Sequence, residues 1–278
     1  MDTKSRNLKL AGIGDNCIDI YLSLGRAFPG GGPVNVAVHA QRLGAVSSYI
    51  GVIGNDQKGQ LIRDSLVAEQ VNVDCLATVE GPTAEARVKH TVDGDRVFCG
   101  SDHGVREQLV VTDKVSTFLA QQDLVHTTLD GKMDHELQWF KQLGLLISYD
   151  YSHRYSDDQF QKTFPYVDFL FFSGSKLSMA EAESQLRKLA EMDPGKVLVM
   201  TMGINGSLVV NGAHYYHQAA IKTEAIDTLG AGDSYIAAFL VSFLKQTPLK
   251  KCMENATAYA AEICREYGAF GHGVMFGG

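Results

Sequence analysis

Two aspartates near the end of this chain bracket a run of small residues whose types and spacing suit phosphoryl transfer. The segment 227–233 reads DTLGAGD, and the apolar run 234–240 after it predicts a helix. Free N–H groups at a helix N-terminus bind anions, and glycines let a ligand approach the backbone closely. Asp233, in the first turn, adds a base beside that anion site. The segment thus holds the parts that phosphoryl transfer to a hydroxyl requires.

A simpler interpretation of the same segment is a capped helix that follows a glycine turn. An aspartate at a helix N-terminus is common and contributes about 1 kcal/mol. Capping needs only one carboxylate, whereas this segment supplies both Asp227 and Asp233. The pair therefore favours the chemical interpretation.

The segment 227–233 resembles the C-terminal signature of the PfkB, or ribokinase-like, family of carbohydrate kinases. That family's first signature is glycine-rich with an N-x-A ending, and residues 30–38, GGGPVNVAV, are similar to it. The two signatures lie about 200 residues apart in the expected order. The resemblance implies an α/β fold, a ribokinase-like three-layer α/β/α with a mainly parallel central sheet and a small β lid. It also implies an ATP-dependent kinase that transfers the γ-phosphate to a sugar hydroxyl.

Individual site residues follow from this resemblance. Asp15 and Asp19 come after the first predicted strand, where open parallel sheets bind ligands, although either alone could be a turn residue. Asn255 matches a position near the adenine pocket, and a polar residue on a helix surface is an equal alternative. The implied site consists of the catalytic base Asp233, the anion hole Gly230, Ala231 and Gly232, the substrate residues Asp15, Asp19, Gly31, Gly32 and Asn35, and the nucleotide residues Thr201, Gly203, Gly206 and Asn255.

The segment 14–19, GDNCID, narrows the choice of substrate class, because it resembles the fructoselysine 6-kinase branch of the family. That branch implies a fructosamine of the fructoselysine or fructose-asparagine type, phosphorylated on its 6-hydroxyl. Fructokinase and ribokinase activities stay open as alternatives, and a nucleoside kinase is less favoured. A non-catalytic sugar-binding regulator is the alternative of another class.

One departure from the family concerns the metal. The family's N-x-x-E motif is missing from residues 173–181, where Ser178 and Glu181 fit a helix capping box instead. Mg²⁺ is implied as a cofactor, but its protein ligands stay unknown, and a monovalent-cation requirement is left open. Asp150 either contacts the substrate or magnesium-bound water, or forms an ion pair with Arg154.

Composition and charge exclude several classes. The chain has 278 residues, 45% of them hydrophobic, and a net charge of −7, so no basic surface for nucleic acid or anionic membranes is expected. No apolar leader follows the first residues and no run is long enough to span a membrane, which predicts a cytoplasmic protein. A sugar and ATP are the expected partners, with a homodimer through the lid suggested by analogy.

Alternating strands and helices predict a parallel sheet covered on both faces. Strands are predicted at 8–14, 48–52, 124–128, 145–149, 168–172 and 197–201, and helices at 33–43 and 56–70. Two hairpins interrupt this order, one around Asp93-Gly94 and one around Asn211-Gly212. The first would carry Arg87, Lys89 and His90, which either meet a substrate carboxylate or form a solvated face. We expect one domain, 1–278, with lid strands from about 15–30 and 83–105.

Overall fold

The fold was obtained as a computed structural model that describes residues 8–90 and 96–276. The turn predicted at Asp93-Gly94 lies outside the described residues. The strands are β1 (Lys9–Ile13), β2 (Cys17–Tyr21), β3 (Arg26–Gly30), β4 (Val46–Gly54), β5 (Leu76–Val79), β6 (Glu85–His90), β7 (Arg96–Asp102), β8 (Leu124–Thr128), β9 (Leu146–Asp150), β10 (Phe169–Ser173), β11 (Val197–Thr201), β12 (Ser207–Asn211), β13 (His214–Gln218) and β14 (Val274–Met275). The helices are α1 (Gly32–Arg42), α2 (Gln57–Ala68), α3 (Asp113–Leu119), α4 (Leu137–Gln142), α5 (Asp157–Thr163), α6 (Met179–Met192), α7 (Ala231–Leu244) and α8 (Leu249–Ile263).

A nine-stranded sheet forms the centre of the molecule, in the order β13-β12-β11-β10-β9-β8-β1-β4-β5. All neighbouring pairs from β5 to β11 are parallel, and the antiparallel hairpin β12–β13 completes one edge. The predicted mainly parallel sheet is therefore confirmed. The chain runs outward from β1 through β4 on one side and from β8 on the other. This reversal is a topological switch point, where open α/β sheets bind ligands beyond the carboxyl ends of their strands.

Helices cover both faces of this sheet, because its parallel strands are apolar on both sides. One buried cluster packs α3 to α6 against the sheet and includes Leu137 and Phe140 from α4 and Leu186 from α6. A second cluster packs α1, α7 and α8 against the opposite face and includes Phe239 and Met253. These two layers give the three-layer α/β/α arrangement. Within the described ranges, no helix is long and apolar enough to cross a membrane.

A second, five-stranded sheet has the order β14-β3-β2-β6-β7. Strand β2 pairs antiparallel with β3 and parallel with β6, so segments far apart in sequence meet in it. Its apolar residues Ile18, Ile20 and Ala27 belong to a third buried cluster together with residues of α1 and α2. The small sheet is therefore fixed against the α/β core next to the first glycine-rich segment.

Candidate active site

The candidate site lies at the switch point between β1 and β8. Asp15 follows β1 and is buried, and its Oδ1 accepts a hydrogen bond of 2.7 Å from Thr128 Oγ1, at the end of β8. Burial raises the pKa of Asp15, and the hydrogen bond from Thr128 partly offsets that rise. The two strand ends thus present a carboxyl group where the sheet topology predicts a ligand.

The first glycine-rich segment brings the chain from β3 into α1 beside this carboxyl group. Gly31, the residue before the helix, has φ +112°, and a β-carbon on it would lie 2.7 Å from the Cα of Asn16. A β-carbon on Gly32 would lie 2.7 Å from Thr128 Cγ2 and 3.7 Å from Asp233 Oδ1. Glycines at these two positions therefore let the start of α1 approach both the β1 loop and the start of α7.

A direct hydrogen bond joins the two sequence signatures. Asn35 Nδ2, in the first turn of α1, donates to Asp233 Oδ2 at 2.7 Å. The other amide atom, Asn35 Oδ1, is buried and has no hydrogen-bond partner among the described residues. A buried acceptor without a donor is costly, so this oxygen is suited to receive a hydroxyl from a ligand.

Asp233 itself is half-buried in an acidic environment. Loss of hydration raises its pKa to about 7; the hydrogen bond from Asn35 lowers it, and the charges of Asp150, Asp15 and Asp19 raise it. Burial likewise raises the pKa of Asp150 to about 6. A general base works best when its pKa lies near the working pH, so Asp233 is suited to accept a proton at neutral pH.

The two glycines ahead of Asp233 have different surroundings. Gly230 precedes α7 with φ +74°, and a β-carbon on it would lie 2.6 Å from the β-carbon of Ala269. Gly232 is exposed, and a β-carbon there would meet no atom within 4 Å. A side chain therefore has room at Gly232 but not at Gly230. The N–H of Ala231 donates to Thr228 O at 3.3 Å, so this group is already engaged.

The first aspartate of the late signature makes different contacts from the second. Asp227 is buried, and its Oδ2 accepts from Tyr21 OH at 2.5 Å and from the N–H of Gly268 at 3.0 Å. Its Oδ1 accepts from the N–H of Leu229 at 2.9 Å. Asp227 thus holds the loop before α7 to β2 of the small sheet.

The segment expected to bind the nucleotide adjoins the first turns of α7. Thr201 ends β11 and pairs with Ser207 of β12, and Ser207 Oγ accepts a hydrogen bond of 2.8 Å from Tyr235 OH. Gly203 and Gly206, in the connection between these strands, have φ +57° and +92°. The connection therefore makes a sharp turn beside Ser207, whose partner Tyr235 is two residues after Asp233 on α7.

Asn255 lies farther along the same helix pair. Its Nδ2 donates to Ser242 Oγ at 3.2 Å, which links α8 to α7. Ser242 is nine residues beyond Asp233 on α7, about 13 Å along a helix that rises 1.5 Å per residue. The residue is therefore not part of the acidic cluster around Asp233.

Two arginines near the site have carboxylate partners. Arg154 forms its ion pair with Asp130, at 2.5 Å, so of the two alternatives for Asp150 the ion pair with Arg154 is not formed. The carboxylate of Asp150 instead accepts from the N–H of Ser152 at 2.7 Å. On β6, Arg87 is held by Glu85 at 2.8 Å.

The capping box of Ser178 and Glu181 on α6 is confirmed.

Sequence reasoning missed Thr128, Asn16 and Tyr49. Asn16 is fully buried, and its Nδ2 donates to Tyr49 OH at 3.0 Å and to Val52 O at 2.8 Å. Tyr49 OH in turn donates to Gly14 O at 2.8 Å. These bonds fix the loop after β1 against β4. Only Asn16 carried a signal, as part of the segment 14–19.

The described residues contain no group of three or more His, Cys, Asp or Glu side chains that could hold a metal ion. The acidic side chains at the site therefore do not form a cage for magnesium by themselves.

The fold is found in solved structures. The ribokinase of Arabidopsis thaliana, complexed with ribose and ATP, superposes with a TM-score of 0.81 over 95% of this chain and 94% of that chain, at 18% identity. The ribokinase of Cryptococcus neoformans, in complex with ADP, gives a TM-score of 0.78 at 16% identity and covers 95% of this chain and 96% of that one. The ribokinase-like fold expected from the sequence is confirmed.

Among curated relatives, the fructosamine kinase FrlD of Bacillus subtilis is 38% identical over 97% of this chain and 95% of its own. The fructoselysine 6-kinase of Escherichia coli is 34% identical over 94% of this chain and 99% of its own. Residues 21–271 match the pfkB family of carbohydrate kinases. The chain belongs to that family, and the predicted ATP-dependent carbohydrate kinase is confirmed.

Proposed function

We propose that this kinase transfers the γ-phosphate of ATP to the 6-hydroxyl of a fructosamine. The observation that carries the chemistry is the 2.7 Å hydrogen bond from Asn35 to Asp233, which joins the two signatures beside the carboxyl groups of Asp15, Asp19 and Asp150. The choice of a fructosamine is supported by the two relatives named for fructosamine and fructoselysine kinase activity. A fructosamine carries a secondary amine that is protonated near neutral pH, and the cluster around Asp15 and Asp19 would attract that charge.

Asp233 is the proposed general base. Its carboxylate takes the proton of the sugar hydroxyl as the oxygen attacks the γ-phosphate, while Asn35 Nδ2 keeps the carboxylate in position. The unpartnered Asn35 Oδ1 would accept a hydrogen bond from a second sugar hydroxyl. Asp15, Asp19 and the backbone of Gly31 and Gly32 would form the rest of the acceptor pocket.

The start of α7 is the proposed anion hole. A β-carbon on Gly232 would meet no atom within 4 Å, so a phosphate has room beside the backbone there, and the helix dipole adds to the attraction for its oxygens. The Gly230 and Ala231 amides belong to the same turn, although that of Ala231 must exchange Thr228 O for phosphate. Charge that develops on the transferring phosphoryl group would be stabilised there.

The nucleotide is proposed to lie along Thr201, Gly203 and Gly206, with its base toward Asn255. The side chain of Ile204 in this turn is 94% exposed, which offers an apolar contact to a nucleobase. Magnesium would arrive bound to the ATP phosphates, whose charge it neutralises, because the described residues offer no cage of their own. A monovalent cation is not required by any step of this proposal.

The chain is proposed to be one domain, 1–278, in which the small sheet acts as a lid over the acceptor. Closure of the lid would exclude water and so prevent idle hydrolysis of ATP. A homodimer through the lid is the proposed assembly, and light scattering of the purified protein would measure its mass.

The test is an ADP-release assay with ATP and magnesium over fructoselysine, fructose-asparagine, fructose, ribose and adenosine. The proposal predicts the highest kcat/KM for a fructosamine, and mass spectrometry and NMR of the product should place the phosphate on the 6-oxygen. Preference for fructose or ribose would instead assign a fructokinase or ribokinase. No turnover with any sugar, despite sugar binding, would indicate a regulator.

A further inference from the structure

One cation beside the acidic cluster has no role in the chemistry described so far. Arg106 begins a short 3-10 turn, Arg106–Gln108, and three residues separate it from the end of β7 in the small sheet. The preceding Val105 is buried, and its N–H donates to Pro82 O at 3.0 Å. The turn packs against β4, which neighbours β1 in the central sheet. Arg106 is therefore held at the junction between the small sheet and the candidate site.

The guanidinium of Arg106 acts on groups at the end of β1. Burial raises the pKa values of Asp15, Cys17 and Tyr49, and in each case the positive charge of Arg106 opposes that rise. Arg106 Nε is buried and has no hydrogen-bond partner in the described part of the chain. A buried donor left without an acceptor is costly, so the site is incomplete without a group that accepts from it.

Two other arginines near this cleft already have carboxylate partners. Arg154 is bound to Asp130 at 2.5 Å, and Arg87 is bound to Glu85 at 2.8 Å. Arg106 makes no ion pair within 4.0 Å among the described residues, although it lies close enough to Asp15 to affect its pKa. It is consequently available to an anion that enters with the substrate.

The position of Arg106 also indicates which end of the substrate it would meet. The turn that carries Arg106 packs against β4, whereas Asp233 lies in the first turn of α7 and is bonded to Asn35 of α1. Arg106 and the proposed base are therefore carried by different elements, and Asp15 interacts with the charges of both. In a fructosamine, the amine and its substituent are at carbon 1, at the opposite end of the sugar from the 6-hydroxyl.

We propose that Arg106 binds the carboxylate of the amino-acid part of the substrate, so that the enzyme selects fructosamines made from amino acids over those made from neutral amines. This inference rests on the proposed fructosamine kinase function. The planar guanidinium would bind the carboxylate through two N–H groups, a geometry that lysine cannot reproduce. The acidic cluster would attract the ammonium group of such a substrate but repel its carboxylate, and Arg106 supplies a cation that offsets this repulsion.

The test compares an acid with its neutral isostere in two proteins. Fructosylglycine and fructosylglycinamide differ only in the carboxylate, and fructoselysine and its carboxamide form a second pair with a longer reach. In the wild type we expect kcat/KM to favour each acid over its amide. Arg106→Ala should lower kcat/KM for the acid about 10- to 100-fold, mainly through KM, and that for the amide less than about threefold. The loss in kcat/KM for the acid should be smaller in Arg106→Lys than in Arg106→Ala.

Arg87→Ala is the matched control, because it removes the same charge from the small sheet at a residue already paired with Glu85. This control should leave the ratio of kcat/KM for the acid to kcat/KM for the amide unchanged. Equal losses on acid and amide in Arg106→Ala, or no loss on either, would overturn the inference while leaving the kinase function in place.

Failure of the proposed function is a separate result. If the wild type phosphorylates no fructosamine, ligand-induced changes in melting temperature are measured with the same acid and amide. Greater stabilisation by the acid in the wild type, lost in Arg106→Ala, would still support carboxylate binding by Arg106. Equal stabilisation by acid and amide would contradict it.

Discussion

Asn35 and Asp233 are 198 positions apart in the chain and are joined by a 2.7 Å hydrogen bond. The donor amide sits on α1 and the acceptor carboxylate on α7, two helices that pack against each other on the same face of the sheet. The bond therefore depends on the fold, and through it the glycine-rich signature influences the protonation of Asp233.

Removal of this bond should change the pH dependence of catalysis. The Asn35 amide lowers the pKa of Asp233, so Asn35→Ala should raise that pKa and shift the acidic limb of the pH profile of kcat/KM upward. The wild-type limb should lie near pH 7, with activity rising as Asp233 loses its proton. A loss of about 10- to 100-fold is expected on the plateau. If the acidic limb of Asn35→Ala lies at the same pH as that of the wild type, this coupling is excluded. Asn211→Ala, in the distant β12–β13 hairpin, is the control and should keep the wild-type profile.

The raised pKa of Asp233 also predicts a stability cost. Between its ordinary value of 3.8 and about 7, the folded protein binds a proton at Asp233 that the unfolded chain has released. Stability contributed by this group therefore falls as the pH rises through that window and stays lower above it. Asp233→Asn should raise the melting temperature at pH 8 more than at pH 5.

The control for that measurement is Asp158→Asn, which makes the same chemical change on an exposed residue paired with Lys162. It should not stabilise the protein at pH 8. A melting temperature of Asp233→Asn that stays at or below the wild-type value at pH 8 would argue against the raised pKa.

The two glycines before Asp233 should respond differently to alanine. Gly230→Ala places a β-carbon against Ala269 in a left-handed conformation, so we expect a loss of about 1–3 kcal/mol in the free energy of unfolding. Gly232→Ala meets open space and should keep the wild-type stability. If phosphate approaches the backbone there, the added methyl group of Gly232→Ala should nevertheless lower kcat/KM for ATP about 10- to 100-fold. Chemical denaturation and steady-state kinetics measure the two effects, and full activity of Gly232→Ala would place the phosphate elsewhere.

The bond between Tyr21 and Asp227 should stabilise the loop before α7. Tyr21→Phe leaves Asp227 with its two backbone donors but without the 2.5 Å bond from β2, so a loss of about 1–3 kcal/mol is expected. Because that loop leads into the proposed anion hole, kcat should fall as well. Tyr216→Phe, on β13, is the control and should change neither. If Tyr21→Phe is destabilised but keeps the wild-type kcat, the loop before α7 does not affect catalysis.

Much of the sheet could be predicted because its parallel strands are buried on both faces and read as short apolar runs. The predicted bounds of β8 and β11 are those observed. The strand predicted at 168–172 is observed one residue later, at Phe169–Ser173, although the backbone of Asp168 already bonds to Ile147 and Val197 of the neighbouring strands. Such one-residue differences at strand ends are not contained in the apolar pattern.

The site could be predicted only where a motif carries it. Asp233 and Asn35 were found through their signatures, and the structure brings them together. Thr128 and Arg106 stand in segments without a recognisable pattern, and they reach the site through the strand order β8-β1-β4. Residues that matter because of tertiary neighbours leave little trace in a single sequence.

The general base is tested most directly by the turnover of Asp233→Asn in the ADP-release assay, with saturating ATP and the preferred fructosamine. The amide keeps the shape and can still accept a hydrogen bond from Asn35, but it cannot take the hydroxyl proton. We expect kcat to fall at least about 100-fold while the dissociation constants of sugar and ATP stay within a few-fold of wild type. A kcat close to that of the wild type would contradict the assignment of Asp233.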